Sequence, residues 1–266
     1  MKWIVNALKA AWGYWYFALF IFFFLFFYPL LIVLLASPKR YAAANNLRRV
    51  WAAIVLGGSG MPWRIRHEFK QRHPHGVIFC PNHFSYADIP LAMLACEGNI
   101  RFMAKVELGS IPIFRIFFRT VDIPVNRGNR VEAYKALKQA EESLDQGYNL
   151  VVFPEGTIGP NPPQLLPLKT GPFRLAIEKQ VPIVPVTFID NWRCLHVEKK
   201  IWGKPGLLRV VVHQAVDTKG MTLDDVETLK QTVYNTINDE LRKHWGNGKA
   251  ESSNFVQPHE SRRQTR

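Results

Sequence analysis

The chain is poor in cysteine and in acid. Cys80, Cys96 and Cys194 are its only cysteines in 266 residues, an odd number with no paired spacing. That excludes a disulfide framework and points to a reducing compartment. Asp and Glu number 21 against 34 Lys and Arg, a formal net charge of +13. Such an excess fits nucleic acid, anionic lipid headgroups or a phosphorylated substrate. Zinc-finger spacing and the RNA-recognition pattern are both missing, so nucleic acid would rest on charge alone and is not expected as a partner. A G-x-S-x-G elbow is missing too. Its nearest approach, Gly57-Gly-Ser-Gly60, precedes every predicted strand, which argues against a serine hydrolase. His73 and His75 lie in a proline-containing loop with no further ligand close in sequence, and no metal is expected. No internal repeat is present.

What the chain does have is a long apolar run. Ala11 to Ala36 reads AWGYWYFALFIFFFLFFYPLLIVLLA, without a charge. As a helix at about 1.5 Å per residue it exceeds the ~30 Å hydrocarbon core of a bilayer. Trp12, Tyr14, Trp15 and Tyr16 cluster at its start as interfacial aromatics do. The run is longer than the roughly 7–15 apolar residues of a signal peptide, so a retained anchor is expected. Lys2 and Lys9 precede it, while Lys39, Arg40, Arg48 and Arg49 follow, which predicts the rest of the chain on the cytoplasmic face. Pro29 interrupts the run and leaves two forms open, a span or a hairpin dipping into one leaflet. Next, Leu47, Val50, Trp51, Ile54 and Val55 form one apolar helical face, with Arg48 and Arg49 off it. That helix either meets lipid phosphates through its arginines or packs on its own domain.

From about Gly76 the pattern is α/β. Strands are predicted at 76–80, 100–104, 121–125, 149–153, 181–188 and 207–213, and helices at 85–94, 129–146, 171–180 and 222–245. Alternating strands and helices predict a mainly parallel central sheet flanked by helices. The expected organisation is a membrane unit over 1–60, a catalytic domain over 61–245 and a mobile polar tail over 246–266.

Two motifs carry chemistry. Asn82-His-Phe-Ser-Tyr-Ala-Asp88 directly follows the first predicted strand, where α/β domains place their sites. On one continuous helix, five residues at about 100° each would leave His83 and Asp88 roughly 140° apart. They meet only if His83 stays on the loop and the helix starts after it. Ser85 as N-cap, with Asp88 three residues on, supplies that start. Asp88 would then accept one ring N–H and leave the other nitrogen free to take a proton. Read alone, the pair could equally be a helix-stabilising acid beside a loop histidine. The second motif, Phe153-Pro-Glu-Gly-Thr157, ends the apolar NLVVF strand and by itself is a tight turn.

The two motifs in this order, about 70 residues apart, resemble the glycerolipid acyltransferase family of the PlsC type. Lys105-Val-Glu-Leu108 with Pro112 is similar to its K-x-E-L-x-x-x-P stretch, and Asp122-Ile-Pro-Val-Asn-Arg127 to its phosphate-binding segment. Lys169-Thr-Gly171 and Val181-Pro-Ile-Val-Pro185 continue the match to about Asp217. The resemblance implies a glycerol-3-phosphate acyltransferase-like fold. It also implies acyl transfer from acyl-CoA or acyl carrier protein, as co-substrate and with no cofactor, to a lysophospholipid in phospholipid biosynthesis. His83 would be the general base and Asp88 its partner. Arg127, Glu155, Gly156 and Thr157 would bind the acceptor, with Lys105 and Lys169 as further phosphate ligands. Ile158 stands where the family commonly has arginine, and Arg115 where many members have glycine. The expected acceptor is therefore 1-acylglycerol-3-phosphate, with another lysolipid, such as an aminoacyl one, as the alternative. A non-catalytic membrane-binding protein would explain anchor and charge but not both motifs.

Overall fold

The computed structural model describes residues 2–69, 76–126, 128–197 and 201–246. The residues at 73, 75 and 127 and the predicted tail beyond 246 lie outside that range.

The apolar run forms one helix, α1 (Lys2–Leu35), which passes straight through Pro29. Proline removes one backbone hydrogen bond there, but buried Phe24 and Leu31 hold the helix to its neighbours on either side. The chain turns instead at Pro38–Arg40, a single 3-10 turn, and returns as α2 (Tyr41–Gly58). The two helices pack antiparallel. Trp12 Nε1 and Trp15 Nε1 donate to the Ser59 and Gly58 carbonyls, and Trp51 Nε1 donates to the Phe20 carbonyl.

A seven-stranded sheet follows. In chain order its strands and helices are β1 (Trp63–His67), β2 (Ile78–Pro81), α3 (Asp88–Ala95), β3 (Ile100–Lys105), α4 (Arg115–Thr120), β4 (Ile123–Val125), α5 (Arg130–Asp145) and β5 (Asn149–Val151). After them come α6 (Gly171–Lys179), β6 (Ile183–Phe188), the short α7 (Asn191–Cys194), a small hairpin of β7 (Leu195–Val197) and β8 (Ile201–Gly203), β9 (Leu208–Val212) and α8 (Val226–Trp245). The strand order is β1-β9-β6-β2-β5-β3-β4. β2 to β6 all run parallel, while β9 runs antiparallel to β6 and carries β1 beside it. The expected mainly parallel sheet is present, with one reversed flank. β1 escaped prediction because WRIRH is an edge strand, half-buried at Trp63 and Ile65 and exposed at its charged positions.

Central strands are apolar on both faces, as parallel strands covered by helices must be. Val77 and Phe79 face the core shared with α1, α2 and α3, whereas Ile78 and Cys80 face the core shared with α5, α6 and α8. The N-terminal helices are thus one layer of the domain.

Within that layer both arginines of α2 turn inward. Arg48 is 5% exposed and forms a forked pair with Asp122, at 2.8 and 3.2 Å, between the rings of Phe102 and Phe117. Asp122 also accepts the Phe102 N–H, so it ties α2 to β3 and to the start of β4. Arg49 donates to the carbonyls of Met93, Cys96 and Gly98 at the end of α3. Of the two roles open to this helix, the one its arginines take is packing on the domain. Removing one partner of a buried pair leaves an uncompensated charge, a cost of about 3–5 kcal/mol. Arg48→Ala is expected to lower the melting temperature by several degrees or more. Loss of vesicle binding at unchanged melting temperature would instead return Arg48 to a lipid role.

Candidate active site

The carboxyl ends of β2, β3, β4, β5 and β6 share one edge of the sheet, the edge where α/β folds collect functional loops. The residue after β2, Asn82, locks this edge. Its side chain donates to the Phe188 carbonyl and accepts the Phe188 N–H, fastening the end of β2 to the end of β6. His83 follows on the loop.

Helix α3 proper begins at Asp88, three residues later than the sequence pattern predicts, after a turn opened by Ser85. Ser85 does part of the expected capping, since its Oγ accepts the Ala87 N–H, while its hydroxyl donates to the Leu195 carbonyl. Asp88 reaches back as expected. Its Oδ2 lies 2.9 Å from His83 Nδ1 and accepts the N–H groups of Phe84 and Ser85, at 2.7 and 2.8 Å. Its Oδ1 accepts from Asn191 Nδ2 at 2.7 Å. The carboxyl group is completely buried, and all four of its hydrogen-bond partners come from the protein. A carboxylate facing Nδ1 assigns the ring proton to that nitrogen, which leaves the lone pair on Nε2. The His83 side chain is 15% exposed, and its ring stacks on Phe153 at 4.1 Å. It is held in place and still reachable.

Glu155 stands on the loop after β5, behind the histidine. It is 2% exposed, and its two oxygens accept the N–H groups of His83 and Leu166, at 2.7 and 2.9 Å. The contacts it makes are with the chain's own backbone, across two loops of the site. Burial pushes its carboxyl up to about 7; the two N–H donors hold it down, and the charge of Asp88 adds to the rise. Gly156 has φ +80°, a conformation that disfavours a side chain, and lets the turn close with its N–H on the Phe153 carbonyl. The Gly159 N–H returns to the His83 carbonyl, and a Cβ at Gly159 would sit 3.2 Å from the Phe84 ring.

The remaining predicted residues divide. Thr157 and Lys169 are exposed on the same loop system, and the Lys169 N–H closes it on the Pro154 carbonyl. Lys105 ends β3 at the site edge, exposed and 3.2 Å from Glu107. Arg127 lies outside the described residues; β4, which leads to it, ends at this same edge. Asn82, Gly159 and Asn191 were not anticipated. Asn82 opens the histidine motif but carried no role of its own there, position just beyond a strand end was the one sign at Asn191, and residue type alone gave Gly159 no special place.

Other nucleophiles are absorbed by the fold. Ser59 is buried, and its hydroxyl bonds the Val55 carbonyl within its own helix. Burial raises the thiol pKa of all three cysteines, which keeps them protonated.

Residues 64–189 match the family model described as Acyltransferase. An uncharacterized acyltransferase of Schizosaccharomyces pombe is 30% identical over 67% of this chain and 65% of its own length. A putative 1-acyl-sn-glycerol-3-phosphate acyltransferase of Caenorhabditis elegans is 33% identical over 61% and 58%. The human 1-acyl-sn-glycerol-3-phosphate acyltransferase alpha is 31% identical over 68% and 64%. The chain therefore spans about three-fifths of the length of these relatives. Among solved structures, the 1-acyl-sn-glycerophosphate acyltransferase PlsC of Thermotoga maritima superposes with TM-score 0.72, covering 91% of this chain and 97% of that one at 23% identity, so the two share a fold.

The buried Glu155 gives a pH test. A carboxyl whose pKa rises on folding favours the folded state in its protonated form. The contribution of Glu155 to stability is therefore fully present below the unfolded value of 4.5 and is lost as pH climbs towards about 7. The decline is on the order of 3 kcal/mol. Glu155→Gln is expected to flatten that part of the stability–pH curve, and urea titrations at pH 4.5, 6 and 7.5 read it out. Motif order, fold and site geometry agree with the match over residues 64–189: that part of the chain is an Acyltransferase domain.

Proposed function

We propose that the protein transfers a fatty acyl group from an acyl thioester to the free hydroxyl of a lysophospholipid, with 1-acylglycerol-3-phosphate as acceptor and phosphatidic acid as product. The observation that carries this reading is the buried Asp88 carboxylate on His83 Nδ1, which leaves Nε2 at a partly open edge as a base. His83 Nε2 takes the acceptor's hydroxyl proton as the oxygen attacks the thioester carbonyl. The tetrahedral intermediate collapses with cleavage of the carbon–sulfur bond, and the imidazolium returns the proton to the departing thiolate. Asp88 stabilises the imidazolium in between. No enzyme nucleophile is required.

Arg127 is assigned to the acceptor phosphate, because a guanidinium fork matches it in bidentate fashion. Lys105, at the end of β3, supplies a second positive charge. Thr157 and Lys169, exposed on the same loop system, are assigned to acceptor binding. For Glu155 the geometry favours support of the His83 backbone over direct contact with an anionic substrate. The donor is acyl-CoA or acyl carrier protein.

The anchor reading takes a specific form. α1 touches the domain through Trp12 beside Gly203, Phe17 on Tyr86 and Phe24 on Phe114, while Trp3, Leu8, Trp15, Phe22, Phe26 and Val33 stay exposed. A helix held along the domain with one bare apolar face fits insertion into a single leaflet. Arg48 and Arg49 are engaged inside the domain, so the flanking charges that remain are Lys2 and Lys9 against Lys39 and Arg40. A cytoplasmic location rests instead on access to a soluble acyl thioester.

Acyl transfer in detergent tests the reading. His83→Ala is expected to lose on the order of a hundred- to ten-thousand-fold in kcat. Activity equal to wild type would refute the base assignment. Arg127→Ala is expected to raise KM for lysophosphatidate while leaving a phosphate-free lysolipid unaffected. An equal effect on both acceptors would remove Arg127 from the phosphate site.

A further inference from the structure

Asp88 has a partner that neither motif contains. The end of β6 leads through Asp190 into α7, whose first residue is Asn191, fully buried, with Nδ2 2.7 Å from Asp88 Oδ1. The direction of this bond is fixed by chemistry. A carboxylate only accepts, so the amide must present its NH2 group, and a flipped amide would set oxygen against oxygen. The two carboxylate oxygens then have separate duties. Oδ2 serves His83 and the backbone of Phe84 and Ser85, and Oδ1 is held by Asn191. The segment bearing Asn191 is fixed from both sides. Ser85 Oγ donates to the Leu195 carbonyl, and Asp190 takes Arg209 in a fork at 2.6 and 2.7 Å.

We infer that Asn191 is a positioning residue for acyl transfer: its amide clamps Asp88 Oδ1 so that Oδ2 faces His83 Nδ1, and it sets how strongly the carboxylate holds the imidazolium. The inference deepens the general-base reading and rests on it. Asp88 has no exposure to solvent, so bulk water does not replace a lost donor. With Asn191 gone, the same negative charge is shared among three donors, and its pull on the imidazolium proton grows. The other titratable groups that face Asp88 are His83, Glu155 from the loop after β5 and Tyr16 from α1, whose buried hydroxyl has no hydrogen-bond partner. None of them is altered by substitution at Asn191.

The test is the pH dependence of kcat/KM on lysophosphatidate for wild type, Asn191→Ala, Asn191→Asp and Ser85→Ala, with His83→Ala assayed alongside. Asn191→Ala is expected to lower kcat on the order of tenfold or more, the scale of one hydrogen bond to a charged group, at unchanged acceptor KM. The acid limb of its profile, where the base gains its proton, moves to higher pH. In Asn191→Asp the two buried carboxyl groups share one proton, so the new acid donates to Oδ1 in the amide's place and moves that limb less than Asn191→Ala does. Ser85→Ala loosens the same segment without touching Asp88 Oδ1, and is expected to lower thermal stability while leaving the limb in place. An unmoved limb in both Asn191 variants overturns the inference, as does a rise in KM at unchanged kcat, or an equal limb shift in Ser85→Ala. Inactive His83→Ala confines any such failure to Asn191. Active His83→Ala brings down the base reading and this inference together.

Discussion

A carboxylate sealed from solvent has to find all its hydrogen bonds within the protein, and Asp88 finds them from two separate parts of the chain. The loop after β2 gives two backbone N–H groups and a ring nitrogen, and α7, more than a hundred residues on, gives an amide. Geometry around the site follows from this. Because the loop N–H groups close on Asp88, the chain cannot enter α3 before that residue, and His83 is left outside the helix with its ring turned to the acid. Because Asn191 sits just past β6, the register of β6 beside β2 becomes part of the site, and Asn82 locks that register with two bonds to Phe188.

Two buried carboxylates lie close together here and behave differently. Asp88 is surrounded by four donors, one of them the His83 ring. Glu155 has two backbone donors, and burial together with the charge of Asp88 lifts its pKa to about 7. One holds the ring of His83 in place. The other is suited to fasten loops, joining the His83 backbone to Leu166 across the Gly156 turn. A glutamate in a catalytic motif invites a role at the substrate, and the hydrogen bonds place this one behind the histidine.

The N-terminal helices belong to the same construction. Tyr16, Phe24 and Leu31 enter the core that also contains Phe79 and Phe153, so the surface offered to lipid and the floor of the site share one apolar cluster. The Arg48–Asp122 pair ties α2 to β3 and β4 in the middle of that layer. An anchor that hung free of its domain would need neither feature.

Periodicity and residue chemistry were enough to mark the apolar run and the alternation of strands and helices, and, with the second motif and the family resemblance beside them, the His83–Asp88 pair. These are properties of neighbours in sequence: hydropathy repeats every two or about 3.6 residues, and five residues span a loop-to-helix turn. The unbroken passage of α1 through Pro29, the inward turn of Arg48 and Arg49, the edge strand β1, the enclosure of Glu155 and the reach of Asn191 to Asp88 came only with the folded chain. Each depends on what lies opposite a residue across the core. A local pattern marks Arg48 as a cation off an apolar stripe, but the aspartate that receives it is 74 positions away. Sequence thus determined which groups were able to do chemistry, and tertiary structure decided which of them meet, because burial and partnership are set by segments distant along the chain.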